Sequence, residues 1–383
     1  MAARGLGLTA LLSASAAGQG PTQDYLVFVA SEGNDRISVV RFGPRGASVE
    51  RVSKIGRNPT EPVGPHGIAV SPDGRRYYVT TAHGFPNGEL WRYSTAGDSL
   101  QGTVRLGSFP ATLQVSPDGL YAYVVNFDLH GGMKPSSVSV VYLDEMVEVA
   151  RITTCTMPHG SRLDPRGTRH FSACMMDDVL VEIDTRTHAV SRHFMLGKGS
   201  EGGMTGAPNV ASATGAAAPD HGGHATTGTT SAAEATCSPT WAQPSADGAK
   251  VYVACSKTND VVEIDVGRWT MTRRFAAGPG IYNLAATRDG TLLVATNKRG
   301  QSVSVIDLLT GKELARIPTR RKVASGVVIS PDDRYAFVTV EGVGAEPGTV
   351  EIIDLATRRT VATVDVGQQA GGIDFWKTEP AAP

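Results

Sequence analysis

Two copies of one tripeptide, Pro65-His66-Gly67 and Pro158-His159-Gly160, carry the side chains best suited to chemistry in this chain. An imidazole can ligate a late transition metal or move a proton near neutral pH, and strand packing alone does not ask for one. Further nitrogen and sulfur donors stand at His83, His130, Met175, Met176, His221 and His224. A mixture of His with Met and Cys favours copper within the late transition metals. Each group taken singly has a plainer reading. His221-Gly222-Gly223-His224 is a loose metal-binding pattern in a low-complexity tract, Met175 and Met176 can pack, and a loop histidine can be solvated or bonded to a turn.

What must position these residues is a repeat. Ser71-Pro72-Asp73-Gly74 returns as Ser116-Pro117-Asp118-Gly119, with degraded copies beginning at Asp164, Ser245, Thr287 and Ser330. Apart from one long interval between Asp164 and Ser245, the spacing stays in the forties. Around each anchor lie short runs rich in Val, Ile, Leu and Tyr, too short for helices and divided by turn residues. Four strands per repeat at that period is the pattern of β-propeller blades. The third strand often ends in Asp (Asp184, Asp265, Asp307, Asp354), where a carboxylate can close a turn. Six anchors are visible, and the ends predict a seventh blade. Tyr25 to Ala30 reads as a second strand with no first, and Ala370 to Phe375 reads as a first strand with no second. Joining them closes the ring and removes open sheet edges. The expected fold is all-β, a seven-bladed propeller of four-stranded antiparallel blades over residues 24–376.

The runs Tyr77-Tyr78-Val79, Tyr121-Ala122-Tyr123-Val124, Val251-Tyr252-Val253-Ala254 and Ser302-Val303-Ser304-Val305-Ile306-Asp307 resemble the YVTN-repeat propellers. The resemblance implies the fold. That group includes surface-layer proteins, periplasmic binding propellers, lactonases and the propeller halves of denitrification enzymes. The Pro-His-Gly placement is also similar to the channel-mouth histidines of nitrous oxide reductases, although this chain has too few mouth histidines for their copper cluster.

Propeller topology gathers the histidines. The link into each first strand and the loop from second to third strand share one face, and the Asp-Gly turns lie on the other. At the offset of His66 and His159, the ring reads Gly371, His66, Ala111, His159, Thr240, Tyr282 and Ser325, so these residues are expected at the mouth of the central channel. The small Ala111 is expected to leave ligand space between two histidines. The second-to-third-strand loops bring His83, His130, Met175, Met176 and Lys257 to the same face. The long interval holds a Gly/Ala/Thr/Ser-rich tract over 197–236 that is expected to be disordered and to carry Met204, His221 and His224 over the mouth. His170 and His188 are expected near the opposite face.

The four cysteines lie almost symmetrically about two anchors, Cys155 and Cys174 about the third, Cys237 and Cys255 about the fourth. Each pair is expected to form a disulfide across the first two strands of one blade. The competing readings are reduced Cys155 and Cys174 beside a soft metal, and four buried thiols.

Composition narrows the function classes. Of 383 residues, 41% are hydrophobic and 19% charged, with a formal net charge of -1, which argues against a nucleic-acid partner. Arg320-Arg321-Lys322 and Arg358-Arg359 are the tight basic clusters, both at strand connections. Residues 1–17 have the shape of a secretory signal, no other stretch is long enough to span a bilayer, and a periplasmic or secreted monomer is expected. Gly197-Lys198-Gly199-Ser200-Glu201-Gly202 matches a dinucleotide fingerprint but follows an antiparallel strand and opens no helix. Haem-attachment, zincin and serine-hydrolase signatures are absent from the sequence. The expectation is a non-catalytic binding propeller that uses its His-lined mouth for copper, another transition metal or a small ligand. The alternatives are an enzyme, either a lactonase-like hydrolase or a metal-dependent oxidoreductase, and a cell-envelope scaffold for a protein partner.

Overall fold

The computed structural model describes residues 20–58, 60–83, 88–209 and 236–381. They form seven antiparallel sheets, six of four strands and one of five. Blades are numbered from the first complete one. Their innermost strands are Pro65–Val70, Pro110–Val115, Pro158–Leu163, Pro239–Pro244, Ile281–Ala286, Ala324–Ile329 and Ala370–Pro380. Each innermost strand touches its two neighbours around the ring. Blade 7 combines Ala370–Pro380 with Gln23–Ser31 and the two strands that follow, so both chain ends meet in one sheet. It runs from Gln23 to Pro380, slightly beyond the limits expected from the repeats.

Local chemistry explains the anchors. In Ser71-Pro72-Asp73-Gly74 the serine hydroxyl donates to Asp73 Oδ1 at 2.5 Å, that oxygen accepts from Arg75 N at 3.0 Å, and Gly74 turns the chain with φ of 68°. Such a left-handed residue favours glycine. The sixth copy puts Asp333 there instead, at φ 57°. At the third-strand ends Asp184, Asp265, Asp307 and Asp354 each accept backbone N–H bonds from the turn that follows.

Between the blades the core is built from the β-branched and aromatic runs, for example Phe171, Phe194, Val253, Ile264 and Trp269 between blades 3 and 4. Near the axis, contact is backbone to backbone. A Cβ on Gly67 would sit 2.2 Å from Ala111 O, and one on Gly160 would sit 2.3 Å from Thr240 O and 2.3 Å from Trp241 Cε3. This accounts for the glycine of Pro-His-Gly: the next strand leaves no room for a side chain. Hydroxyls from Thr80, Thr112, Thr240, Thr296 and Thr339 tie the same layer by donating to Ala111 O, His159 O, Tyr282 O, Ser325 O and Gly371 O of the adjoining blade. Gly160→Ala should therefore cost about 1 to 3 kcal/mol by overpacking, read as a lowered midpoint in chemical unfolding. An unchanged midpoint would show that the strands can move apart.

Two expectations about blade 3 need correction. Both disulfides form as paired, Cys155 with Cys174 and Cys237 with Cys255. Cys155, however, lies on the outermost strand of blade 2, Val147–Thr156, so its bridge joins neighbouring blades instead of two strands of one. That strand runs almost directly into Pro158, with no separate link to hold Cys155. The 197–236 tract is also ordered at its start. Gly202–Thr205 pairs with Ala189–Met195 as a fifth strand, and Glu201 bonds Arg274 at 2.8 Å. Gly203 is there because a Cβ would meet Trp269 at 2.4 Å. His221, His224 and the segment 1–17 lie outside the described residues.

Candidate functional site

The second residue of every innermost strand is the one expected at the mouth: Gly371, His66, Ala111, His159, Thr240, Tyr282 and Ser325. Their side chains do not all face the channel. A cavity of about 180 Å³ lies on the axis, and its lining includes His66, His159, Tyr282 and Ser325 but neither Ala111 nor Thr240. Ala111 is fully buried in a cluster with Phe127, Met133 and Met157, with Phe109 packed on it, so the expected space between the histidines is filled by aromatic and thioether groups. Thr240 is buried with its hydroxyl spent on Tyr282 O at 2.8 Å.

The two Pro-His-Gly histidines differ. His159 is 4% exposed. Its Nδ1 lies 3.0 Å from Thr240 O, a pure acceptor, so Nδ1 carries the proton and donates. Nε2 is then the acceptor facing Tyr282 Oη at 2.8 Å. His66 is partly open, and its Nδ1 meets Glu32 Oε2 at 2.6 Å, while Glu32 Oε1 meets His83 Nε2 at 2.7 Å. Burial would push the Glu32 carboxyl up, but the charge of His66 and the hydrogen bonds from His66 and His83 hold it well below the usual carboxylate range. The same bond to Glu32 lifts the imidazolium of His83 above its ordinary value against burial. Phe109 sits among the imidazoles, with ring centroids 5.5 Å from His66, 6.4 Å from His83 and 6.2 Å from His130.

Across the mouth, Lys298 Nζ lies 3.8 Å from the Tyr282 ring centre and 3.0 Å from Glu341 Oε1. Burial opposes the Lys298 charge, yet Glu341 raises its pKa above the ordinary value. Burial also raises the Tyr282 phenol, with Lys298 pulling the other way. The mouth is thus a rim of two ion-paired networks, Glu32 with two histidines and Lys298 with Glu341, around the His159–Tyr282 contact.

Deeper in the channel stand Arg162 and Asp374. His159 and Arg162 are three residues apart, and simple alternation would put them on opposite faces. The register shift between Pro158 and Ser161 turns both inward. Water reaches both charged groups through the channel, but protein surrounds them. Desolvation pushes Arg162 down to about 10 and Asp374 up to about 6, each partly restored by the other's charge.

Within the described residues the expected metal donors do not converge, and His221 and His224 lie outside them. Among the described residues no three His, Cys, Asp or Glu side chains group to hold an ion. All four cysteines are oxidised, and Met175 and Met176 pack against the Ala111–Phe127 cluster. His130 meets only the edge of Phe109 in ring contact. His170 is buried in blade 3 against Tyr123 and His188 near Tyr121, both away from the mouth. Glu32, Lys298, Glu341, Arg162 and Asp374 were not singled out by sequence. The one available signal was that their positions fall in the same strand or loop slots as the histidines.

A family model for the cytochrome D1 heme domain matches residues 285–379, well under half of the chain. Three solved structures share the fold. The periplasmic gluconolactonase of Pseudomonas aeruginosa superimposes with a TM-score of 0.67 at 18% identity, covering 92% of this chain and 99% of that one. A functionally unknown protein from Desulfotomaculum acetoxidans gives 0.66 at 13% identity, covering 92% and 98%. Hydrazine synthase from Kuenenia stuttgartiensis gives 0.62 at 18% identity, covering 84% and 92%. A search of curated proteins finds no match.

Proposed function

We propose that this chain is a periplasmic binding propeller that takes a small polar ligand into the mouth of its central channel. The observation that carries this is the axial cavity, walled by a mixture of apolar and polar inner-strand residues and presenting His66, His159, Tyr282 and Ser325 together. At about 180 Å³ it suits a ligand smaller than the drug-sized molecules held in pockets of roughly 300–1,000 Å³. Hydroxyl groups of such a ligand would exchange hydrogen bonds with His66 and Ser325, and its carbon face would lie near Tyr282. Two disulfides favour an oxidising compartment, and no helix among the described residues is long and apolar enough to cross a membrane.

The matched segment offers haem no available axial ligand. The segment like the D1 domain, 285–379, contains no His, Met or Cys, and its Tyr335 is buried in an aromatic cluster of blades 6 and 7. Haem iron takes an axial His, Met, Cys or Tyr. A transition metal remains the second ligand class for the mouth, through His66 and His83 after displacement from Glu32.

A hydrolase is the alternative, and one contact favours it. Tyr282 Oη bonds His159 Nε2 beside the Lys298 cation, an arrangement able to pass a proton, and a fold neighbour is a gluconolactonase. Calorimetry with gluconate, copper(II) and zinc(II), together with acid release from glucono-1,5-lactone, separates the readings. For the binding reading, gluconate should bind wild type at least tenfold more tightly than His66→Ala, with no turnover of lactone. Catalysed acid release lost in His159→Gln would move the assignment to an enzyme. Equal gluconate binding by wild type and the His66→Ala/His159→Ala double variant would remove the mouth from consideration.

A further inference from the structure

The channel floor holds a cation that, among the described residues, no carboxylate contacts. Arg162 is the one Lys or Arg, and Asp374 the one Asp or Glu, that line the axial cavity among the described residues. The guanidinium carries five N–H donors. One hydrogen bond uses Nη1, which donates to Ser161 O at 2.9 Å, and the guanidinium plane is held 4.4 Å from the Trp241 ring centre. Among the described residues no carboxylate reaches Arg162 as an ion pair. Asp374 is held elsewhere: Oδ2 accepts from Val70 N at 2.7 Å and Oδ1 from Phe375 N at 2.9 Å. Two more polar side chains of the same layer are also turned to backbone, Gln114 accepting from Leu163 N at 2.6 Å and Gln243 donating to Pro244 O at 3.0 Å.

A cation enclosed by protein without a contact counterion is costly, and the usual remedy is a partner charge with matching hydrogen bonds. A planar guanidinium with free edge donors matches a carboxylate in two parallel bonds. We propose that Arg162 forms an anion subsite below the mouth, where it takes the carboxylate of a small organic acid. Cation–π contact with Trp241 fixes the fork, and the backbone grip on Asp374 keeps that carboxylate from taking the place of the ligand. The subsite stands on its own geometry. Combined with the reading of the mouth, which it deepens, it selects a short hydroxycarboxylate, with the acid group down and hydroxyls towards His66 and Ser325.

The test is thermal unfolding in sodium acetate and sodium gluconate, against sodium chloride at equal ionic strength, since any bound anion that avoids the unfolded chain raises the midpoint. Wild type should rise with acetate and further with gluconate. Arg162→Met should lose both responses. Asp374→Asn should bind acetate several-fold more tightly, because the opposing charge is gone. His66→Ala should keep the acetate response and lose the gluconate increment. A wild type that responds to neither salt beyond chloride overturns the subsite, as does an undiminished response in Arg162→Met. If Arg162→Met does not fold, unchanged or weakened acetate binding in Asp374→Asn overturns it instead. Gluconate no better than acetate would reject the mouth reading while leaving the subsite standing.

Discussion

Replacing His170 by Phe should make the protein less sensitive to acid, with a gain over wild type that grows to about 4 to 5 kcal/mol by pH 3. The ring of His170 is fully buried, neither nitrogen has a hydrogen-bond partner among the described residues, and it stacks on Tyr123 at 5.1 Å. Desolvation first, and the charge of Arg162 second, push its pKa down to about 3. The direction follows from linkage. In the unfolded chain this histidine takes a proton near pH 6.5, while in the folded chain it resists until about pH 3. The unfolded state therefore binds more protons between those limits, and stability is lost progressively as pH falls through that window. A phenyl ring keeps the stack and cannot charge. It also removes two buried polar atoms that have no partner, so a smaller gain is expected at neutral pH. Asp374 acts in the opposite sense, since a carboxyl raised to about 6 penalises the folded state above that pH and relieves it below. The measurement is consequently the difference between urea unfolding of His170→Phe and of wild type at pH 7 and at pH 4. Parallel pH profiles would mean that His170 is charged in the folded protein.

Removing either disulfide should cost roughly 2 to 4 kcal/mol, the usual range for loops of about 20 residues. The two losses should differ in character. Cys155–Cys174 joins the outer strand of blade 2 to the second strand of blade 3, so Cys155→Ala/Cys174→Ala should loosen a blade boundary and speed hydrogen exchange in Val147–Thr156 and Arg169–Cys174 together. Cys237–Cys255 holds the chain just before the innermost strand of blade 4. There Asp178 already accepts backbone N–H bonds from Cys237 at 3.0 Å and Ser238 at 2.7 Å, so loss of the bridge should leave that segment partly tethered and fall at the lower end of the range. Equal protection in the reduced and oxidised protein would show that the bridges restrain nothing the sheets do not.

The repeat was legible because turns impose residue types. A turn-residue corner recurring mostly at intervals in the forties, with Val, Ile and Tyr between corners, specifies the blades; the offset from the six corners, with the alignment of Ala370 to Phe375 for the seventh, falls on the second residue of each innermost strand. Side-chain direction was not legible. Thr240 shares its offset with His159 yet turns to Tyr282 O, because a hydroxyl is short enough to satisfy a carbonyl of the next blade. Arg162 was hidden by a bulge, since alternation assigns it to the wrong face until the irregularity between Pro158 and Ser161 is seen. Glu32 was overlooked for another reason. It belongs to a short 3-10 turn, Glu32–Asn34, in the blade made from both chain ends, where a lone loop carboxylate looks like any solvated one. The copper expectation rested on counting donors on one face, whereas ligation needs their atoms within reach of a common point.

The strand Ala370–Pro380 is the innermost of its blade, and it is also translated after every strand of the other six blades. Val70 N donates to Asp374 across 304 residues of chain, so the nascent polypeptide has no complete axis until that strand has emerged. Earlier blades must wait, side by side, with the edge of Gln23–Ser31 unclaimed. Closing so distant a pairing is intrinsically slow, and the waiting state carries an open edge that other chains could capture. Loss of this one strand would accordingly do more harm than its length suggests, because it is one about which the rest is arranged.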